Sequence, residues 1–224
     1  SIGGYHGAKM RRYQDLIERK INKERELLVN KLQNNDVDFS DLQVLNMLNV
    51  GYFKFGESRN NVVQNRFSNG NAWYIEKLIP AISPINEIEM LNKIDTKKEA
   101  VYDSKIFKNI ESLDYSSDGK IEVVEYNPNK IIYKSENQNI SFIVFSEIYY
   151  ANGWKVLIDG EESNLIRVNY TLRGLELRPG NHTIEMKFEP KAYFIGDKVI
   201  LASNYILLIL LISIIFIEIK KNRK

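Results

Sequence analysis

Residues 120–189 read KIEVVEYNPNKIIYKSENQNISFIVFSEIYYANGWKVLIDGEESNLIRVNYTLRGLELRPGNHTIEMKFE. Apolar and polar side chains alternate through most of this stretch, the period of an extended chain with one face toward a core. Seven strands follow from it: KIEVVEY, KIIYKSE, ISFIVFSEIYY, WKVLIDG, NLIRVN, LRGLELR and HTIEMKFE. Turn-forming pairs separate them at Asp118-Gly119, Asn127-Pro128, Asn152-Gly153, Asp159-Gly160 and Pro179-Gly180. Short strands punctuated this way predict an antiparallel β-sandwich over 113–196.

On the C-terminal side, Val199–Ile219 reads VILASNYILLILLISIIFIEI, with Ser203, Asn204, Tyr205, Ser213 and Glu218 as its only polar side chains. A helix of that length is about 31 Å long, the hydrocarbon thickness of a bilayer. Ile and Leu continue all round it, so it has no face for water. One transmembrane helix is therefore predicted over 197–219, followed by a basic tail at 220–224 (Lys220, Lys221, Arg223, Lys224). Basic flanks stay cytoplasmic, which would place residues 1–196 outside the cytoplasmic membrane. The chain opens Ser-Ile-Gly-Gly with no initiator Met and no hydrophobic run, so we expect it to be the C-terminal part of a longer membrane protein.

On the N-terminal side the period is helical. Met10, Tyr13, Ile17, Ile21, Leu28 and Leu32 form one apolar stripe over residues 8–33, broken by Asn34, Asn35, Asp36 and Asp38. A short helix is predicted over 40–49, and strands at GYFKF (51–55) and AWYIEKLI (72–79). Ser83 followed by Pro84 predicts a helix start, and the helix through Asn92 carries Ile85, Ile88 and Leu91 on one face. Residues 1–112 thus read as an α+β part, and the whole chain as an α+β fold with a sandwich and a final span.

Composition narrows the chemistry. With no Cys there is no disulfide, thiolate nucleophile or Cys-ligated metal, and two His leave little for a His-rich centre. The net charge of +2 belongs to the tail: residues 218–224 hold four basic residues and one acidic, leaving 27 against 28 elsewhere. That balance argues against a nucleic-acid partner. No phosphate-binding loop, dinucleotide fingerprint, nucleophile elbow or zinc-protease motif occurs, and no metal or cofactor is expected. Asp114–Glu125 (DYSSDGKIEVVE) matches the calcium-loop pattern, but its last positions continue an alternating strand where a helix should open, so a hairpin turn is expected. His182, in Pro-Gly-Asn-His, reads as a hairpin residue.

Two groups remain as candidate contacts. Tyr149, Tyr150 and Trp154 could stack on sugar rings or close the end of the sandwich. Tyr5, His6, Lys9, Arg11 and Arg12 form a basic, aromatic group at the start of the first helix, suited to a lipid phosphate or to an ordinary solvated face.

The segments GGYHGAKMRRYQDLIE (3–18), LNMLNVGYF (45–53), NGNAWYIE (69–76), FSEIYYANGWKVLIDGE (145–161) and NYTLRGLELRPGNHTIEMKFEP (169–190) resemble the C-terminal region of YfhO-like bacterial membrane proteins. Gly153, Trp154, Asp159, Gly160 and the Pro-Gly-Asn-His turn carry most of the likeness; Asn152 stands where many relatives have Pro. The resemblance implies a polytopic protein with a GT-C-type glycosyltransferase architecture. Such a protein takes sugar from a polyprenyl-phosphate carrier to a cell-envelope acceptor. It also implies that the catalytic acid lies in an early extracytoplasmic loop upstream of Ser1, so no catalytic residue falls in this chain. The substrate contacts expected here are Tyr5, His6, Lys9, Arg12 and Trp154. A membrane-anchored carbohydrate-binding or structural module is the alternative.

Overall fold

The computed structural model describes residues 10–222 apart from 59, 109 and 111–113. The first helical rod is built from α1 (Arg11–Leu16), one π-helical turn (Ile17–Ile21) and α2 (Asn22–Gln33). Leu16 and Ile21, five apart, would point in different directions on a regular α-helix; the wider turn brings both into the core. Glu24 on α2 then receives the backbone N–H groups of Val44 and Leu45, 2.8 Å each, at the start of α3 (Gln43–Met47). Burial outweighs those two bonds and pushes the Glu24 carboxyl up to about 7.

That shift gives a pH dependence with a definite sign. A carboxyl raised in the folded state contributes stability that is complete below its unfolded value and is lost as pH rises through its folded value. Between about pH 4.3 and pH 7 Glu24 should therefore remove on the order of 2–3 kcal/mol. Melting temperature is expected to be lower at pH 8 than at pH 5.5, and that difference should shrink in Glu24→Gln.

Among the described residues the strands form three sheets. β1 (Tyr52–Lys54) and β2 (Val62–Gln64) pair as a small hairpin. The larger sheets contain β3 (Ala72–Ile75), β4 (Lys77–Ala81), β5 (Glu99–Asp103), β6 (Gly119–Asn127), β7 (Lys130–Asn137), β8 (Ser141–Ile148), β9 (Trp154–Ile158), β10 (Glu161–Ser163), β11 (Ile166–Val168), β12 (Leu172–Leu177) and β13 (Gly180–Phe188). One sheet runs β3-β8-β12-β11-β5-β4, the other β10-β9-β13-β7-β6. β3 and β4 lie at opposite edges of the six-stranded sheet, yet only Glu76 separates them, so that sheet curls back on itself.

Every expected sandwich strand forms, and all their pairings are antiparallel. The six-stranded sheet also draws β3, β4 and β5 from before residue 112. β4 and β5 pair in parallel, linked by α4 (Pro84–Met90), a unit absent from the sequence reading. β5 escaped notice because Ala100, Val101, Tyr102 and Asp103 are all buried, which erases alternation. The start of α4 is as expected: Ser83 Oγ accepts from the Asn86 N–H at 3.2 Å, and Pro84 opens the helix.

Two cores result. One lies between α1–α4 and the curled sheet, centred on Leu16, Phe39, Leu78, Phe142 and Leu172; the other lies between the two sheets, with Ile131, Tyr133, Phe145, Leu175 and Ile184. After β13, Pro190 leads directly into α5 (Lys191–Lys221), whose stretch Ile195–Lys221 has a mean hydropathy of 2.7 and buries nothing against the rest of the chain.

Gly153 explains one half of the Gly-Trp pair. Its φ is +151°, and a Cβ there would lie 2.5 Å from the Phe188 ring. Gly153→Ala is expected to cost about 1–3 kcal/mol, read by denaturant unfolding, because ring and loop must both give way.

Candidate functional site at the end of the sandwich that meets the apolar helix

The chain enters α5 from the end of β13, where Phe188 pairs with Trp154 and the Glu189 N–H donates to the Gly153 carbonyl. The β6–β7 turn lies at the same end, with the Phe188 N–H donating to the Asn129 carbonyl. So do the end of β8 and the turn 169–171, where the Tyr149 N–H donates to the Thr171 carbonyl. Two clusters of acidic and basic side chains are packed here.

The first is organised by Glu87, on α4 and 0% exposed. One carboxylate oxygen accepts from the Tyr170 N–H at 3.0 Å, the other from Arg12 Nη1 at 3.0 Å. Arg167 Nη2 lies 3.8 Å from both Glu87 Oε2 and Asp103 Oδ2. Arg12 stacks its guanidinium 4.6 Å over the Tyr170 ring, and the Tyr170 hydroxyl donates to Asp15 at 3.0 Å. Asn169 and Tyr170 both have positive φ, 48° and 71°, a costly state for two side-chain-bearing residues in succession. Glu87 holds one of them; Asn169 is held by Val101, whose N–H donates to Asn169 Oδ1 at 2.9 Å. Burial pushes the Glu87 carboxyl up, while Arg167 and Arg12 pull it back.

The second cluster lies between the sheets. Arg173, 3% exposed, is 4.0 Å from the Trp154 ring and donates to the Ile148 carbonyl at 3.1 Å. Its Nη1 reaches Met186 Sδ at 3.3 Å. Glu147 accepts from the Tyr133 hydroxyl at 2.9 Å, and the Tyr126 hydroxyl lies beside the same carboxyl. Burial raises Glu147, opposed by the Tyr133 bond and by Arg173.

Of the residues expected to contact substrate, Tyr5, His6 and Lys9 lie outside the described residues. Arg12 is held through Nη1 alone, leaving Nε and Nη2 without an acceptor among the described residues. Trp154 is flanked by Arg173 and by Phe188, ring centres 5.4 Å apart. Tyr149 and Tyr150 sit edge-on to Phe107 and tilted against Phe188. His182 lies at the opposite end of the sandwich, its Nδ1 2.7 Å from Asp159 and its Nε2 3.0 Å from the Arg178 carbonyl. In the calcium-like segment, Gly119 opens β6 and Glu125 pairs with Lys130 at 3.2 Å.

Glu147, Arg173 and Glu87 were missed by sequence reading, although signals existed. Period two places Glu147 on the face of Ile143 and Phe145, and Arg173 on that of Leu175 and Leu177. Glu87 adjoins Ile88 on the buried side of α4.

A curled sheet, a second sheet packed on it and an apolar helix leaving without a linker make a β-rich body joined to one helix long and apolar enough to cross a membrane. The family model described as "Bacterial membrane protein YfhO" matches residues 92–218, more than half of the chain. The chain therefore belongs to the YfhO family of bacterial membrane proteins, and α5 is its contact with the lipid bilayer. No curated protein and no solved structure matches it.

Proposed function

We propose that this chain is the extracytoplasmic C-terminal region of a polytopic membrane glycosyltransferase. The parent protein would take sugar from a polyprenyl-phosphate donor to a cell-envelope acceptor, and this region, itself without the catalytic acid, would form the wall at which the lipid phosphate is held. Support comes from the family resemblance for the reaction. For the site it comes from Arg12, one amino group clamped by Glu87 and two donor nitrogens without an acceptor among the described residues, at the end of the domain that meets α5. A guanidinium fixed in this way offers a phosphate two parallel hydrogen bonds with little entropy left to lose. Tyr5, His6 and Lys9 complete the proposed site, and the tail 220–224 would be cytoplasmic.

The test uses Arg12→Lys in the full-length protein, since lysine keeps the charge opposite Glu87 but not the fork. Transfer should fall tenfold or more, about 1.4 kcal/mol in the barrier, with melting temperature nearly unchanged. Lys9→Ala should act the same way. Unchanged transfer in both overturns the phosphate site. The alternative, a brace or sugar-binding module, draws support from Trp154, whose ring is committed to Arg173 and Phe188 in the manner of a structural plug. It predicts loss of transfer only together with loss of stability.

A further inference from the structure

We infer that the α5 end of the sandwich rests on the lipid headgroups, anchored by Tyr126, Tyr150 and Tyr193 with Ile106 beside them. The inference rests on the junction and not on the glycosyltransferase reading.

The junction is short and stiff. Glu189 is bonded to Gly153, Pro190 restricts the next step, and α5 begins at Lys191. From Lys191 to Val199, where the uncharged apolar run starts, the helix rises only about 12 Å. A headgroup layer is roughly 5–8 Å thick per leaflet. The end of the sandwich is therefore held within a side chain's length of that layer, whatever the tilt of the helix.

What the domain presents there suits that depth. Tyr126, beside the β6–β7 turn, is 60% exposed along its ring while its hydroxyl reaches back to Glu147; Tyr150, just after β8, is 42% exposed. Ile106 is 55% exposed and precedes Phe107, which packs on Tyr149. Tyr193 lies on the first turn of α5 itself. Tyrosine, apolar along the ring and polar at the tip, is favoured at the membrane–water boundary. The basic side chains of the surrounding strands are already neutralised: Lys130 by Glu125 and Glu185, Lys155 by Glu189, Lys187 by Glu185, all within 3.5 Å. Through these four side chains the attachment is apolar and interfacial, separate from the phosphate contact proposed for Arg12, and its depth is not expected to depend on lipid charge.

Because the chain has no Cys, single-cysteine variants report position directly. The full chain would be placed in nanodiscs of phosphatidylethanolamine with or without phosphatidylglycerol. Spin labels would be attached at Tyr126→Cys, Tyr150→Cys and Ile106→Cys, with Ile140→Cys as the control in the β7–β8 turn at the far end. Collisions with oxygen, which enters lipid, and with a water-soluble nickel complex would then be compared. At 126, 150 and 106 oxygen should dominate; at 140 nickel should. The ratio should persist in 0.5 M salt (about a fivefold shorter Debye length than at 20 mM) and without phosphatidylglycerol. Nickel access at 126, 150 and 106 equal to that at 140 overturns the proposal. So does shielding from both probes, which would mean a protein partner, and so does a ratio that collapses with salt.

Discussion

Glu87→Ala is expected to destabilise the extramembrane part by about 3–5 kcal/mol, the range for breaking a buried ion pair from one side. Three losses coincide. Arg12 loses its 3.0 Å partner, Arg167 is left against Asp103 alone, and the Tyr170 N–H loses its acceptor in a backbone state that is already strained. Denaturant unfolding of the purified chain in detergent measures it. A concerted replacement, Glu87→Leu with Arg12→Met, Arg167→Met and Asp103→Asn, should recover much of the loss, because it removes the buried charges together and leaves none of them stranded. A single-variant cost below about 1 kcal/mol would mean that the cluster is solvated.

Arg173→Ala should cost a similar amount, about 3–5 kcal/mol, through a cavity between Trp154 and Met186 and an uncompensated Glu147. Its pH dependence separates the two contributions. Arg173 pulls the Glu147 carboxyl down against burial, so its removal raises Glu147 further. A raised carboxyl loses its stability contribution as pH rises through the folded value. The variant should therefore be damaged more at pH 8 than at pH 5, because the carboxyl it leaves without a counter-charge ionises further as pH rises. Equal damage at both would assign the whole effect to the cavity.

Much of the fold was legible because local signals agree with the tertiary answer. Asp159-Gly160 reads as a two-residue hairpin, and the chain turns there with φ of 53° and 90° between paired Ile158 and Glu161. Ser83-Pro84 reads as a helix start and is one. The candidate site was less legible. Arg12 could be picked out as a cation on the first helix, but its partner is 75 positions away on another helix, and nothing local to either segment pairs the two.

The sequence by itself determined the strand periods, the turns that end them and the apolar span. Each depends on side-chain spacing within about ten residues, which the chain carries wherever it goes. Only the tertiary structure decided that β4 and β5 run parallel, that the six-stranded sheet curls until its two edges are one residue apart, and that Glu87 faces Arg12 and Arg167. Those outcomes depend on which distant surfaces exclude water from one another. Hydrophobic burial rewards area without direction, so the ion pairs and strained turns it encloses appear only once the surfaces have met.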